Sequence, residues 1–180
     1  MRRMKFQQIV DLLKQCNIQG GLWVDAGCGN GTYTFPLATF AGQVIAIDRN
    51  INNLSYLKSK ISTEKNIITQ QIDFNKPIWY NQLVDGILFG FSLHYHPVPQ
   101  IALTNAFNQL ITGGTIIIIE YASENPVSWV PHPLSMKKLI SLLKEISFTN
   151  IQPVEILPSR RMSAYWDNAS YILKAEKNLS

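Results

Sequence analysis

The sequence predicts an α/β fold in which a mostly parallel β-sheet lies between layers of helices. Short apolar runs rich in β-branched residues alternate along the chain with longer segments of helical periodicity, a pattern typical of βαβ units. The runs are continuously apolar, as expected of strands that are buried on both faces. A length of 180 residues suits one domain with a single core.

Five apolar runs are predicted to form the parallel strands. They lie at residues 22–24, 44–47, 67–68 with Ile72, 84–89 and 116–119. Two further strand-like segments, 151–157 and 171–175, have no helix between them. They therefore predict an antiparallel hairpin that closes the sheet.

Apolar residues spaced three and four apart predict the helices. An amphipathic helix is expected within residues 1–20, and others at 51–61, 99–110 and 134–146. We expect the pair Gly113-Gly114 to end the helix at 99–110, because glycine commonly follows a helix C-terminus. Ser135 is a predicted N-cap.

Composition excludes several classes of protein. The two cysteines are too few for a disulfide scaffold or a zinc site and fit a reducing cytosol. Polar residues interrupt the first helix, unlike a signal peptide, and the longest apolar run, 116–119, is too short to span a bilayer. A cytoplasmic protein is predicted. The net charge of +4 comes from short basic pairs and leaves nucleic-acid binding open.

A glycine-rich loop follows the first strand and precedes a helix. Its glycines, Gly27, Gly29 and Gly31, allow tight turns and close approach to a ligand. Asp48 lies at the end of the second strand, 48 − 31 = 17 residues beyond the last glycine. A carboxylate at that point can accept from both hydroxyls of a ribose. Alternatively, Asp48 caps the following helix.

The loop differs from a dinucleotide site in two respects. Thr32 stands where the third glycine of G-x-G-x-x-G would fall, and Asp25 precedes the loop. A carboxylate repels a pyrophosphate but attracts an ammonium or a sulfonium. The loop therefore favours a cationic nucleoside without phosphates, S-adenosylmethionine. A nicotinamide-dependent oxidoreductase is the alternative, disfavoured by Thr32 and by the absence of a Tyr-x-x-x-Lys pair.

The segment VDAGCGNG, residues 24–31, resembles motif I of the class I S-adenosylmethionine-dependent methyltransferases. Later segments resemble further parts of that family in the same order: AIDR, QIDFNKP, VDGILFGFSLHY and LITGGTIIIIEY. The resemblance covers Leu22 to Glu120. It implies a Rossmann-like three-layer sandwich whose seven-stranded, mostly parallel sheet has an antiparallel last strand. The chain resembles a small member without a cap.

The resemblance also implies a division of the chain and a set of cofactor contacts. One domain spans residues 1–180, with an N-terminal helix at 1–20, a cofactor-binding core at 22–122 and a substrate loop, helix and hairpin at 123–180. The glycines would line the methionine and ribose, and Asp25 would reach the methionine ammonium. The remaining contacts would be Asp48 to the ribose, Arg49 along the adenine, Asp73 to its amino group, Phe74 on its ring, and the backbone of Gly90 and Phe91 to the methionine. Asp73 is alternatively a turn former, and Phe74 an ordinary core residue.

The family has no universal catalytic residue, because transfer from a sulfonium needs a base only when the acceptor must lose a proton. His94 and Tyr95 are the catalytic candidates, since ligands of α/β sheets bind beyond the strand ends. His94 is alternatively a structural donor. The candidate substrate contacts are His96, Tyr121, Trp129, His132, Arg160, Tyr165 and Trp166. His132 is alternatively a loop histidine held between two prolines, and Arg160 part of an exposed hairpin tip.

The predicted function is in-line transfer of a methyl group from S-adenosylmethionine to an oxygen or nitrogen of a small molecule. Methylation of RNA or protein is the first alternative, and a non-catalytic binding module is another. The motifs of amino-group methyltransferases acting on bases or glutamine, and of the cytosine-C5 type, are absent from the sequence. No bound metal and no membrane association are expected. The expected oligomeric state is a monomer or a homodimer.

Overall fold

The computed structural model describes residues 5–61, 66–77, 79–157 and 169–177. The helices are α1 (Phe6–Lys14), α2 (Thr34–Ala38), α3 (Ile51–Lys60), α4 (Pro99–Gln109) and α5 (Met136–Glu145), with a short 3-10 helix at Leu93–Tyr95. The strands are β1 (Leu22–Ala26), β2 (Gln43–Asp48), β3 (Ile67–Gln71), β4 (Val84–Gly90), β5 (Leu110–Tyr121), β6 (Phe148–Leu157) and β7 (Ser170–Lys177).

The seven strands form one sheet in the order β3-β2-β1-β4-β5-β7-β6. Neighbours from β3 to β5 are parallel, and β7 lies antiparallel between β5 and β6. The predicted fold class, including the antiparallel last strand, is confirmed. The strand order changes side at this point, because β2 and β3 lie on one side of β1 whereas β4 and β5 lie on the other. Since β1 and β4 are parallel, the loops that leave their carboxyl ends diverge along the same edge of the sheet.

The run of four isoleucines in β5 shows why the predicted parallel strands of this sheet are continuously apolar. Ile116 and Ile118 pack in the cluster that contains residues of α4 and α5, whereas Ile117 and Ile119 pack in the cluster that contains α1 and α2. Successive side chains of a strand point to opposite faces. A strand covered by helices on both faces therefore needs an apolar residue at every position.

Two predicted boundaries are wrong around α4 and β3. The helix α4 ends at Gln109, and β5 begins immediately with Leu110, whose ψ is 144°. Leu110 is fully buried and pairs with Val84, so burial in the sheet decides its conformation. Gly113, with φ of +78°, lies within β5 beside its register shift and ends no helix. The strand β3 ends at Gln71, one residue before Ile72.

The predicted cap of α5 is confirmed. Ser135 is the N-cap, and its side chain accepts from the backbone of Lys138. Among the residues described, no helix is both long and apolar enough to cross a membrane.

Gly86→Ala is expected to destabilise the protein by about 1–3 kcal/mol, the usual effect of overpacking a core. A Cβ at Gly86 would come within 2.5 Å of the Trp23 ring, which is buried between β1 and the helices that cover it. Urea unfolding measures the change. The double variant with Trp23→Leu is the control, because removing the indole makes room for the methyl group. A Gly86→Ala variant as stable as the parent would contradict this packing.

Candidate cofactor-binding and active site

The glycine loop is held to the end of β2 by its own backbone. The amides of Gly27 and Cys28 both donate to the carbonyl of Ile47, at 2.9 and 3.0 Å. The amide of Gly29 donates to the Asp48 carboxylate at 2.8 Å. Three hydrogen bonds therefore fix where the loop lies relative to this strand.

The three loop glycines have different neighbours. All have positive φ, at +76° for Gly27, +52° for Gly29 and +86° for Gly31. A Cβ at Gly27 would meet Ser92 at 2.6 Å, and one at Gly31 would meet Leu57 at 2.5 Å, whereas a Cβ at Gly29 would meet nothing within 4 Å. Gly27 and Gly31 are thus required by packing. Gly29 faces open space.

Asp48 is buried, 8% exposed, and accepts three hydrogen bonds. Besides Gly29, its carboxylate accepts from the backbone of Asn50 at 2.7 Å and the side chain of Asn53 at 3.3 Å. The helix cap itself is Asn50, whose side chain accepts from the backbone of Asn52. Asp48 therefore joins the glycine loop to the start of α3 without being the N-cap.

Asp25 is buried at the end of β1, 1% exposed, and accepts from the Thr34 hydroxyl at 2.6 Å. Burial raises the pKa of Asp25 to about 7; the hydrogen bond from Thr34 opposes this rise, and the nearby charge of Asp48 adds to it. The carboxylate is thus poorly stabilised as an anion. A cation beside it would lower its pKa.

The segment after β3 forms a turn. The Asp73 carboxylate accepts from the backbone amide of Asn75 at 3.0 Å, which is the turn-forming role left open above. Phe74 is 6% exposed and packs edge-on against Phe89 and Trp79, as a core residue does. Its ring also backs Gly27, where an added Cβ would approach it to 3.0 Å.

Asn75 links this turn to His96. Its side-chain nitrogen donates to Asp73 at 3.1 Å and lies 2.6 Å from Nδ1 of His96. Because Asp73 requires that nitrogen to be the amide donor, Nδ1 of His96 accepts and the proton of the neutral ring lies on Nε2. Burial lowers the pKa of His96, and the positive charge of Arg49 lowers it further. His96 is a neutral hydrogen-bond donor.

Gly90 and Phe91 leave the end of β4 against an aromatic wall. A Cβ at Gly90 would collide with the Tyr33 ring at 2.5 Å. Phe91 has a positive φ of +54°, donates its amide to Ile119 at 2.9 Å and stacks on Tyr121 with ring centroids 4.4 Å apart. The chain turns sharply here and brings the 3-10 helix next to β5.

His94 is paired with Glu120 in the interior. Nδ1 of His94 lies 2.7 Å from the Glu120 carboxylate, and both side chains are 1% exposed. The other ring nitrogen, Nε2, is buried without a hydrogen-bond partner. The centroid of its ring lies 4.2 Å from that of Tyr95 and 5.4 Å from that of Tyr121.

Tyr95, Trp129 and His132 are the other predicted acceptor-side residues that the structure describes. The backbone amide of His132 donates to the carbonyl of His94 at 3.0 Å, although the His132 side chain is exposed. Tyr95 is 51% exposed, and Trp129 is 39% exposed in a turn closed by bridge pairing between Val127 and Val130. Arg160, Tyr165 and Trp166 lie outside the described residues, as does the rest of the predicted hairpin tip.

Four residues of this site were not predicted as site residues: Thr34, Asn75, Ser92 and Glu120. Glu120 has the clearest sequence signal, because a carboxylate directly after four isoleucines has to be buried or to face a ligand. Ser92 donates to the carbonyl of Ala26 at 2.8 Å and so ties the end of β1 to the loop after β4. Over the ranges that the structure describes, no three His, Cys, Asp or Glu side chains are grouped closely enough to hold a metal.

Three solved structures have a similar fold. The YcgJ protein from Bacillus subtilis has a TM-score of 0.81 and 12% identity, covering 97% of this chain and 100% of that chain. The N-methyltransferase NodS from Bradyrhizobium japonicum WM9, in complex with S-adenosyl-L-homocysteine, has a TM-score of 0.76 and 17% identity over 95% of this chain and 86% of that chain. Magnesium protoporphyrin IX methyltransferase from Synechocystis PCC 6803, with bound S-adenosylmethionine, has a TM-score of 0.71 and 16% identity over 96% and 78%.

The comparison with curated proteins finds no match to this chain. The sequence does match a family model. The model described as "Methyltransferase domain" matches residues 19–176, which is most of the chain. The match begins before the glycine loop and ends in β7, so it includes the whole sheet. The chain therefore belongs to the methyltransferase-domain family, the family that its motifs resemble.

Proposed function

We propose that the chain transfers a methyl group from S-adenosylmethionine to an oxygen or nitrogen of a small molecule. Membership in a methyltransferase family supports the reaction class. The observation that carries the choice of cofactor is the open face of Gly29 beside the Asp48 carboxylate. A nucleoside fits there, because backbone without a side chain adjoins an acceptor for ribose hydroxyls.

The charges of the loop support a cationic ligand. Asp25 and Asp48 end adjacent parallel strands on either side of the glycine loop. Two carboxylates there would repel a pyrophosphate, and Asp25 in particular gains from a neighbouring ammonium. When bound, S-adenosylmethionine supplies a methyl group on a sulfonium that leaves as a neutral thioether.

The other residues are assigned by their position around this loop. Gly27 and Gly31 hold its turn, and Asp48 accepts from the ribose. In this proposal Arg49, which is exposed, lies along the adenine, and Asp73 accepts from its amino group. Phe74 supports Gly27 from behind, and the backbone of Gly90 and Phe91 borders the methionine.

The acceptor side is lined by aromatic rings, which supports a flat or apolar acceptor. The rings of Tyr95 and Tyr121 lie beside that of His94, and Phe91 packs against Tyr121. His96 and His132 extend this surface in the proposal, as does Trp129. Two free thiols support a cytoplasmic location. A monomer or homodimer is retained as the expected state.

Asp48→Asn is expected to weaken binding of S-adenosyl-L-homocysteine at least tenfold, a loss of about 1.4 kcal/mol, because an amide cannot accept from two hydroxyls. Calorimetry measures the affinity. Asp85→Asn is the matched control: Asp85 also accepts a backbone amide, that of Leu22 at 2.7 Å, but at the opposite end of the strands. An Asp48→Asn affinity within a factor of two of the parent would contradict the ribose assignment, and binding of NAD instead would favour the oxidoreductase.

Asp25→Asn is expected to stabilise the ligand-free protein, and more so at pH 8 than at pH 5. The pKa of Asp25 is raised from 3.8 to about 7 in the folded state. The folded state therefore holds a proton that the unfolded chain releases, so stability falls as the pH rises between these values, by an amount on the order of a few kcal/mol, and stays low above pH 7. Asparagine cannot ionise and keeps an oxygen for Thr34. Urea unfolding at both pH values measures the difference.

The same variant is expected to bind S-adenosyl-L-homocysteine about tenfold more weakly at pH 8, because it lacks the charge that pairs with the ammonium. A stabilised protein with weakened binding is the mark of a residue retained for its ligand. If Asp25→Asn binds as tightly as the parent, Asp25 serves the fold through Thr34 and the ammonium contact is wrong.

A further inference from the structure

We propose that His94 is a general base, that Glu120 positions it, and that the methyl acceptor is therefore a hydroxyl or amine that must lose a proton. This inference rests on the proposed function and deepens it. It names the chemical class of the acceptor and adds a residue, Glu120, to the site.

The carboxylate of Glu120 is surrounded by four hydrogen-bond donors. One oxygen accepts from the backbone amides of Leu93 at 3.0 Å and His94 at 3.3 Å. The other accepts from the amide of Tyr121 at 3.3 Å and lies 2.7 Å from Nδ1 of His94. A carboxylate accepts about four hydrogen bonds and donates none, so Nδ1 of His94 carries the proton.

In its neutral form, the ring of His94 then has a bare lone pair on Nε2. That atom is buried and has no partner, although nearly all buried polar atoms in proteins are hydrogen-bonded. An imidazole oriented by a carboxylate at one nitrogen, with the other free to accept, is the arrangement of a general base. The hydroxyl or amine proton of an acceptor is the donor that Nε2 lacks.

The backbone places this base at the same edge of the sheet as the glycine loop. Ser92, two residues before His94, donates to Ala26 and would touch any Cβ at Gly27. On the other side the amide of His132 donates to the carbonyl of His94. The base is thus fixed between the end of β1 and the loop that follows β5.

His96 makes the assignment specific, because it has the opposite tautomer. Its Nδ1 accepts from Asn75, so its Nε2 bears a proton and cannot accept another. Of these two buried histidines, only His94 presents a lone pair. The Nε2 proton of His96 can instead donate a hydrogen bond to another part of the methyl acceptor.

The acceptor's oxygen or nitrogen forms a bond to the methyl carbon while its proton passes to Nε2 of His94, and the bond from carbon to sulfur breaks with its electron pair on sulfur. The imidazolium formed is stabilised by the adjacent Glu120 carboxylate. Thioethers and tertiary amines have no such proton and gain nothing from the base. The rings of Tyr95 and Tyr121 favour a flat acceptor such as a phenol or an aromatic amine.

The tautomer of His94 is tested by NMR of the ring nitrogens at pH 8. The chain has three histidines, so His94→Gln, His96→Gln and His132→Gln assign the signals. The expected result is a protonated Nδ1 and a bare Nε2 for His94, and the reverse for His96. A proton on Nε2 of His94 in the ligand-free protein would overturn the proposal without reference to any substrate.

Glu120→Gln is expected to reverse that tautomer. The amide oxygen is retained by the backbone amides of Leu93 and His94, which leaves its NH2 group facing Nδ1 of His94. Nδ1 must then accept, and the ring proton moves to Nε2. Glu155→Gln, a charge-removing control on β6, is expected to leave the His94 signals unchanged. A His94 ring that keeps its proton on Nδ1 in Glu120→Gln would contradict the positioning role of Glu120.

The catalytic role is tested with matched acceptors. A phenol and an aromatic amine are compared with their methyl ether and tertiary amine, and the formation of S-adenosyl-L-homocysteine is followed. We expect turnover of the protic members alone, and a loss of kcat of roughly 10²–10⁴-fold in both His94→Gln and Glu120→Gln. Affinity for S-adenosyl-L-homocysteine should not change in either variant.

The outcomes separate this inference from the proposed function. If the parent protein does not bind S-adenosyl-L-homocysteine, the proposed function fails. If it binds that compound but His94→Gln retains its kcat, or if the aprotic acceptors are methylated equally well, the base is wrong and the proposed function stands.

Discussion

The attachment of the glycine loop to β2 is the interaction on which the rest of the site depends. The amides of Gly27 and Cys28 both donate to the carbonyl of Ile47, and the amide of Gly29 donates to the carboxylate of Asp48. These bonds are made by the main chain, so they constrain where the loop lies without specifying most of its side chains. They also give Asp48 two functions, because the oxygens expected to accept from a ribose already hold the loop. Binding and loop geometry are therefore coupled through one carboxylate.

Three carboxylates stand at the carboxyl ends of three strands, and they differ in how completely the protein stabilises them. Glu120 is surrounded by four donors and Asp48 by three, whereas Asp25 has the Thr34 hydroxyl. Burial raises the pKa of Asp25 to about 7. A buried acid with few donors is expensive for the fold, and such residues concentrate at ligand sites. The least stabilised carboxylate is thus the one that a cationic ligand would serve best.

The sequence was sufficient to predict the strands and the glycine loop, but not the side-chain pairs that join different strands of the site. The four isoleucines of β5, the glycine spacing and Ser135 each determine local structure through periodicity, φ or capping, and all three predictions were right. The predicted end of α4 was wrong because burial of Leu110 in the sheet outweighed the effect of the glycines that follow it. The pairing of His94 with Glu120 joins residues 26 positions apart and depends on the register of β4 against β5. No periodicity encodes such a register.

The strand order separates the proposed cofactor side of the site from the proposed acceptor side. The loop glycines, Asp25 and Asp48 belong to β1, β2 and the segment between them, where hydrogen bonds come largely from the main chain. His94 and Glu120 belong to β4, β5 and the turns that follow them. The two halves meet where β1 pairs with β4 and where Ser92 donates to the carbonyl of Ala26. We therefore expect substitutions around His94 to change which acceptor is used while the glycine loop, the proposed nucleoside site, remains intact, since the two sets of residues are held by different hydrogen bonds.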